Sequence, residues 1–152
     1  MRRRDREITD RALIEEILER ATVCRIGLVG KEGPYVIAMS FGYDAHCLYL
    51  HCASEGKKLD LIREDPRVAF EVDLDHEVVP QASPCGWTLR YRSVVGSGRA
   101  VLVADAQEKR HGLEAIMRQH GGTLGPFAEK DLAQVSIVRI EIGEVTGKQS
   151  GY

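Results

Sequence analysis

The chain has 152 residues, the length of one globular domain, and it can bury a core without disulfides or a structural metal. Its 21 basic and 23 acidic residues give a formal charge of −2, which argues against a nucleic-acid-binding surface. No apolar run is long enough to cross a bilayer, and no apolar segment follows the basic start MRRRDR as in a secretory signal. We therefore expect one cytoplasmic domain over residues 1–152, with residues 1–8 as a solvated tail.

The first part of the chain predicts a helix followed by three strands. Apolar residues recur at helical spacing over residues 9–20. Residues 22–29 alternate as a half-buried strand, and the turn GKEG leads into a second strand, PYVIAMSFGYD, at residues 34–44. A further short turn leads to a strand over residues 46–53. Such short connections join antiparallel strands, so the pattern predicts a meander.

The second half is also rich in β-structure. The predicted elements are a helix over residues 55–64, a strand over 67–74, a loop over 75–87, a β-run over 88–105, a helix from Asp105 to before Gly121, a short helical turn over 129–133 and a strand over 135–145. Gly96 and Gly98 predict a bulge or bend in the β-run. The architecture predicted is mainly β: a six-stranded antiparallel barrel with peripheral helices.

The strand-to-helix junction at residues 53–58 is the first candidate binding site. Ser54 is a suitable N-cap, and Gly56 in the first turn leaves room beside the backbone. Free N–H groups and the helix dipole attract an anion, whereas Lys57 and Lys58 are unfavourable at a helix start without one. The pattern predicts a phosphate cradle that includes both lysines, with a merely solvated lysine pair as the alternative.

Beside the junction, His46, Cys47, His51 and Cys52 are residue types that bind zinc. Strand alternation places His46 and Cys52 on one face and Cys47 and His51 on the other. Cys47 and His51 are also about 13 Å apart at ~3.3 Å per residue. We therefore expect no metal site. The four cysteines of the chain include no CxxC pair, so free thiols are expected.

Four stretches occur in order along the chain: PYVIAMSFGYD (34–44), LYLHCASEGKKLDLIREDPRVAFEVD (48–73), YRSVVGSGRA (91–100) and VTGK (145–148). Together they resemble the FMN-binding split-barrel superfamily that includes the pyridoxamine 5′-phosphate oxidases. Within it, the chain is most similar to the Nim-type proteins associated with nitroimidazole resistance. The resemblance implies a homodimer with FMN at the subunit interface. It also implies an oxidoreductase that passes electrons to a small acceptor such as a nitro-aromatic compound.

The resemblance also assigns candidate site residues. The positions that match flavin-binding positions of the family are Ile37, Ala38, Met39, Ser40, Phe41, His51, Lys57, Lys58, Arg92 and Ser93. His51 matches the position near the isoalloxazine ring and is the candidate catalytic residue, since an imidazole can donate a proton near neutral pH. Lys58 matches the basic phosphate ligand, and Arg92 and Ser93 fall where the second subunit contributes.

Two departures argue against the oxidation of pyridoxamine phosphate. The oxidases carry an arginine near the position of Ile37, and the stretch GKQSGY at residues 147–152 lacks their C-terminal substrate-binding Trp and Arg. An oxidase-like enzyme is therefore the less favoured enzymatic alternative. Because a fold and a cofactor site do not fix a reaction, a non-enzymatic flavin-binding or sensor protein is a further alternative.

Some side chains have more than one predicted role. His76 suits either the surface or a pocket, and Trp87 and Tyr91 suit either stacking on a ligand or interface packing. Arg90 and Arg92 share a face of one strand, which is costly unless negative charge lies opposite. A phosphate or a carboxylate of a neighbouring subunit would meet that need.

Overall fold

The computed structural model describes residues 3–152; Met1 and Arg2, which belong to the predicted tail, lie outside the described residues. Within them the helices are α1 (Arg11–Arg20), α2 (Lys57–Glu64), α3 (Ala106–Gln119) and α4 (Glu129–Gln134). The strands are β1 (Glu7–Ile8), β2 (Val23–Gly30), β3 (Gly33–Ser40), β4 (Gly42–Asp44), β5 (Cys47–Ala53), β6 (Arg67–Val79), β7 (Thr88–Leu102) and β8 (Val135–Ser150). Short 3-10 turns lie at Arg4–Arg6 and Pro84–Gly86.

The strands form one antiparallel sheet in the order β3-β2-β6-β7-β8-β5-β4, with β1 paired to β8. β8 joins the two parts of this sheet, because it pairs with β7 along one edge and with β5 along the other. The sheet curls until β3 lies beside β5, although these two strands are not paired. The fold is therefore an antiparallel split barrel with peripheral helices, as predicted.

The described residues contain eight strands rather than the six predicted. The stretch predicted as one strand over residues 34–44 breaks at Phe41 into β3 and β4. The other additional strand is β1, which lies in the predicted tail: Ile8 is buried and pairs with Gly147. Residues 7–8 are therefore part of the sheet.

The barrel interior is filled by alternate residues of the strands and closed by α1. Leu48, Leu50 and Cys52 of β5 point inward, and Ile17 and Leu18 of α1 cover the core from one end. A second, smaller cluster lies on the other side of β5, beneath α3; its buried members are Tyr49, Val103, Ala115, Ile116 and Ile137.

The side chain of Gln119 connects three elements around the core. Its Nε2 donates hydrogen bonds to the carbonyls of Leu18 (2.7 Å) and Ala21 (2.6 Å), and its Oε1 accepts one from the Tyr43 N–H (3.1 Å). One amide thus satisfies backbone groups at the end of α1 and at the start of β4.

The prediction of a loop over residues 75–87 is wrong for its first part, because β6 continues to Val79. The pairing register of β6 and β7 shifts between Leu74 and Glu77, and Asp75 adopts a left-handed conformation with φ of 57°. This bulge lets the strand continue towards the prolines instead of ending before them.

Other expectations are confirmed. The register of β7 and β8 shifts between Ser97 and Gly98, at the predicted bend. Asp105 caps α3, since its carboxylate accepts a hydrogen bond from the Glu108 N–H at 2.8 Å. Within residues 3–152, the helices are too short or too polar to span a bilayer.

Candidate functional site

The opening between β3 and β5 brings together most of the predicted flavin positions. β3 ends the strand order, so its edge away from β2 has no strand partner among residues 3–152. The end of β5, from His51 to Ala53, pairs with β8 only, because β4 pairs no further than Tyr49. Backbone N–H and C=O groups on such edges are available to a bound molecule.

The side chains of β3 alternate between the core and the outer surface. Ile37 and Met39 pack against the core, and Phe41, just beyond the strand, is fully buried within it. Ala38 is exposed and Ser40 is half-buried on the opposite face. Along β3, the inward-facing positions can therefore contribute only backbone groups to a ligand outside the barrel.

The start of α2 lies where β5 leaves the opening, and it differs from the predicted start. Ser54 is not the N-cap: that position is Gly56, which has φ of 132° and supplies no side-chain cap. The Gly56 carbonyl accepts hydrogen bonds from the Leu59 and Asp60 N–H groups. The N–H groups of Lys57 and Lys58 have no acceptor among residues 3–152. The helix start is thus free to bind an anion.

The two predicted phosphate lysines point in different directions. Lys57 Nζ lies 2.8 Å from Glu32 Oε2 in the β2–β3 turn and 5.5 Å from the centre of the Tyr35 ring. The hydrogen bond raises the pKa of Lys57 and lowers the pKa of Glu32. This pair borders a surface cleft of about 480 Å³ between the turn and α2. Lys57 is therefore already engaged by a carboxylate.

Lys58 is half-buried and lies beside the thiol of Cys52 at the end of β5. Burial raises the pKa of Cys52, and the positive charge of Lys58 partly opposes that rise. Of the two lysines, Lys58 is thus the one held against the end of β5, next to the free N–H groups of α2.

His51 is exposed, whereas its neighbour Cys52 is buried in the barrel. The two side chains therefore face opposite sides of β5, as alternation predicts. His46 lies in the turn before β5, with φ of 63°, rather than in the strand as predicted, and its Nδ1 is 3.2 Å from the Tyr43 hydroxyl. Within residues 3–152, no three His, Cys, Asp or Glu side chains are placed to share a metal ion.

Arg92 and Ser93 lie on opposite faces of β7. Arg92 points to the end of the barrel, where its Nη1 lies 2.9 Å from Asp75 Oδ2. Ser93 is buried on the outer face, between Asp73 of β6 and Lys148 of β8 in the pairing register. The two side chains therefore cannot both contact the same face of one ligand.

Sequence reasoning missed the partners of Arg90 and Arg92 on β7. Arg90 Nη1 lies 2.8 Å from Glu77 Oε2, and Asp75 accepts from both Arg92 and Arg20. Burial works against the charge of Asp75, but the two arginines hold its pKa below the usual value. The carboxylates are in the same chain, not a neighbouring subunit. The available signal was a row of alternating acidic residues opposite alternating arginines. The loop predicted over residues 75–87 concealed this signal.

The three side chains of open role lie on β6 and β7 or in the connection between them. His76 Nε2 is 2.9 Å from Asp73 Oδ2. Trp87 is 56% exposed, and its ring N–H donates to the Gln81 carbonyl. The ring of Tyr91 lies 5.6 Å from Lys148 Nζ. None of these contacts places the three side chains around one common site.

A family model described as pyridoxamine 5′-phosphate oxidase matches residues 10–149. The chain belongs to the pyridoxamine 5′-phosphate oxidase family. A candidate 5-nitroimidazole antibiotic resistance protein of Bacteroides thetaiotaomicron is similar to this family member, with 32% identity and a TM-score of 0.84 over 94% of this chain and 86% of that one. The predicted resemblance to Nim-type proteins is thereby confirmed.

Two more distant structures share the fold of this oxidase-family chain. An FAD- and haem-binding protein of Mycobacterium smegmatis has a TM-score of 0.86 at 23% identity, over 97% of this chain and 74% of that one. A flavocytochrome of Azotobacter vinelandii has a TM-score of 0.84 at 21% identity, over 100% and 72%. No curated protein sequence gives a significant match.

Proposed function

We propose that the protein binds FMN in the opening between β3 and β5 and acts as an oxidoreductase, passing electrons from a reduced donor to a small acceptor such as a nitro-aromatic compound. Family membership and the similarity to the Bacteroides protein support a flavin-related function. The observation that carries the proposal is the uncapped start of α2, where two free N–H groups and Lys58 lie beside the unpaired edges of β3 and β5.

The residues present fit a flavin nucleotide. The Lys57 and Lys58 N–H groups, with the Lys58 ammonium, would hold the phosphate at the positive end of α2. The backbone edge of residues 37–40 would face the ring system, with the exposed His51 on the neighbouring strand. FMN supplies the electron transfer when it is bound, and the protein binds it, orients it and shields it from water.

We further propose that the protein is a homodimer, with the flavin bound between its two subunits. Four valines on the outer face of β2, β3 and β7 are between 42% and 68% exposed: Val23, Val29, Val36 and Val95. Exposed apolar side chains of this kind, around the ion-paired Arg25, favour a protein interface over solvent. Ser93 lies on the same face of the sheet.

A titration with FMN, monitored by flavin fluorescence, tests the site. Lys58→Ala should raise the Kd at least about tenfold, because it removes a charge-assisted hydrogen bond to the phosphate. Lys57→Ala is the matched control and should raise it at most about threefold, since Lys57 is already paired with Glu32. Equal effects would contradict the phosphate site, and a wild-type protein without FMN affinity would contradict the function.

Turnover separates the alternatives. The loaded protein should be reduced by NADH or NADPH and reoxidised by a nitro-aromatic acceptor, with no oxidation of pyridoxamine phosphate. Flavin that neither nicotinamide reduces would favour a binding or sensor protein.

His51→Ala should slow acceptor reduction if the exposed imidazole delivers a proton, and the same rate as wild type would remove His51 from the chemistry. The cytoplasmic location stays a prediction.

A further inference from the structure

The segment Gly151–Tyr152 turns back over β7 and covers Arg90 and Arg92. Gly151 adopts a left-handed conformation with φ of 79°, and a Cβ there would lie 2.6 Å from Arg90 Cγ. Arg90 Nε donates to the Gly151 carbonyl at 2.8 Å. The Tyr152 ring centre lies 4.6 Å from Arg90 Cζ and 4.4 Å from Arg92 Cζ. The Tyr152 hydroxyl donates to the Asp75 carbonyl at 2.6 Å.

The covered Arg92 is only partly satisfied. Its Nη1 is paired with Asp75, but its Nε is buried and has no acceptor among residues 3–152. A buried N–H donor without an acceptor is unfavourable, so the closed arrangement contains a local cost. An acceptor atom that took the place of the Tyr152 ring would remove this cost while leaving the Arg92–Asp75 ion pair intact.

The cover lies at an exposed edge, where its two hydrogen bonds and two guanidinium–ring contacts each contribute little net free energy. Tyr152 is 43% exposed, and at exposed positions a guanidinium over an aromatic ring contributes little. Arg90 keeps Glu77 as a partner whether or not the ring is present. The left-handed Gly151 supplies the turn on which Tyr152 can swing away. Small changes in contact free energy can therefore open the segment.

We propose that Gly151–Tyr152 is a latch that competes with the flavin for Arg92. This inference rests on the proposed function and on the family resemblance, which assigns Arg92 of one subunit to the flavin held by its partner. In the closed state Tyr152 occupies the surface of Arg92. In the open state Arg92 Nε–H donates to an acceptor oxygen of the flavin nucleotide. The latch thereby lowers the affinity of the resting protein for FMN.

Three variants test the latch by FMN titration. Tyr152→Leu removes the aromatic ring, and Gly151→Ala disfavours the left-handed turn and meets Arg90. Both should lower the Kd for FMN, by about three- to tenfold. Tyr152→Phe keeps the ring over Arg92 and loses only the hydrogen bond to the Asp75 carbonyl, so its Kd should fall by less than that of Tyr152→Leu. An unchanged or higher Kd in the first two variants, with unchanged circular dichroism, would overturn the latch.

A second measurement needs no flavin. Phenylglyoxal modifies accessible arginines, and mass spectrometry of the peptides gives the rate at Arg92. That rate should rise at least about threefold in Tyr152→Leu and stay near the wild-type value in Tyr152→Phe, and equal rates in all three proteins would overturn the cover. If no protein binds FMN, the proposed function fails and the latch fails with it. If FMN binds and depends on Lys58 but not on Tyr152, only the latch fails.

Discussion

Both halves of β5 pair with β8 along one edge of the strand, but they differ in their pairing along the other edge. The first half, Cys47–Tyr49, pairs with β4 and lies beneath α3. The second half, His51–Ala53, pairs with β8 only and leads to the uncapped start of α2. The first half thus has strand partners along both edges, whereas the second half leaves one edge unpaired. Under the proposed function, stability and ligand binding therefore belong to different ends of one strand.

The largest expected effect is the difference in stability between alanine substitutions at two positions on the same face of β5. Tyr49 is 6% exposed beneath α3, and Tyr49→Ala should lower the free energy of unfolding by about 3–4 kcal/mol. His51, two residues further, is exposed, so His51→Ala should change it by less than about 0.5 kcal/mol. Urea unfolding of both variants measures the difference. Similar losses would show that the second half of β5 is as tightly packed as the first.

A second prediction concerns the close approach of β4 and α3. A Cβ at Gly42 would overlap the backbone of Ala115 and Ile116, which cannot move independently of α3. Gly42→Ala should therefore lower the free energy of unfolding by about 2–3 kcal/mol. Gly143→Ala is the control, because the nearest atom there is 3.5 Å away. Equal stabilities of the two variants, measured by urea unfolding, would mean that β4 is not fixed against α3.

The smallest effect is a dependence of stability on alkaline pH. Burial raises the pKa of Cys24 to about 12, so the folded chain keeps a proton that the unfolded thiol loses above about pH 8.5. Stability should therefore fall as pH rises from about 8.5 towards 12, by roughly 1–2 kcal/mol from this group at pH 10. Cys24→Ala should remove that part of the fall.

Cys52, in the open half of β5, provides the matched comparison. Burial also raises the pKa of this thiol, but the nearby Lys58 opposes the rise. Cys52→Ala should therefore reduce the alkaline loss less than Cys24→Ala does. Urea unfolding at pH 8 and pH 10 measures both. An equal reduction would mean that Lys58 does not lie against Cys52 in solution.

The elements that depend on local pattern were predictable. Alternation alone separates the buried Cys52 from the exposed His51, and the Asp105 cap needs only the spacing to Glu108. Ser54 was predicted as an N-cap because of its side chain, yet Gly56 takes that position. The chain turns sharply between β5 and α2, and the φ of 132° at this turn favours glycine over serine.

Features that depend on distant residues were not predictable. Residues 77–79 belong to a strand because they pair with residues 88–90, across a connection rich in proline. The separation of Lys57 from Lys58 depends on Glu32, which approaches α2 only after β2 and β3 have formed their hairpin. The contacts of Tyr152 with Arg92 and Asp75 join residues 60 or more positions apart, beyond the range of any local signal.

The position of β8 in the sheet has a consequence for biosynthesis. β4 and β5 are linked by pairing to β7, β6, β2 and β3 only through β8. Until residues 135–150 have been synthesised, the two groups of strands remain separate and expose edges that β8 later covers. Closure of the barrel therefore waits for β8, and a chain stalled on the ribosome before residue 135 would expose both edges to chaperones.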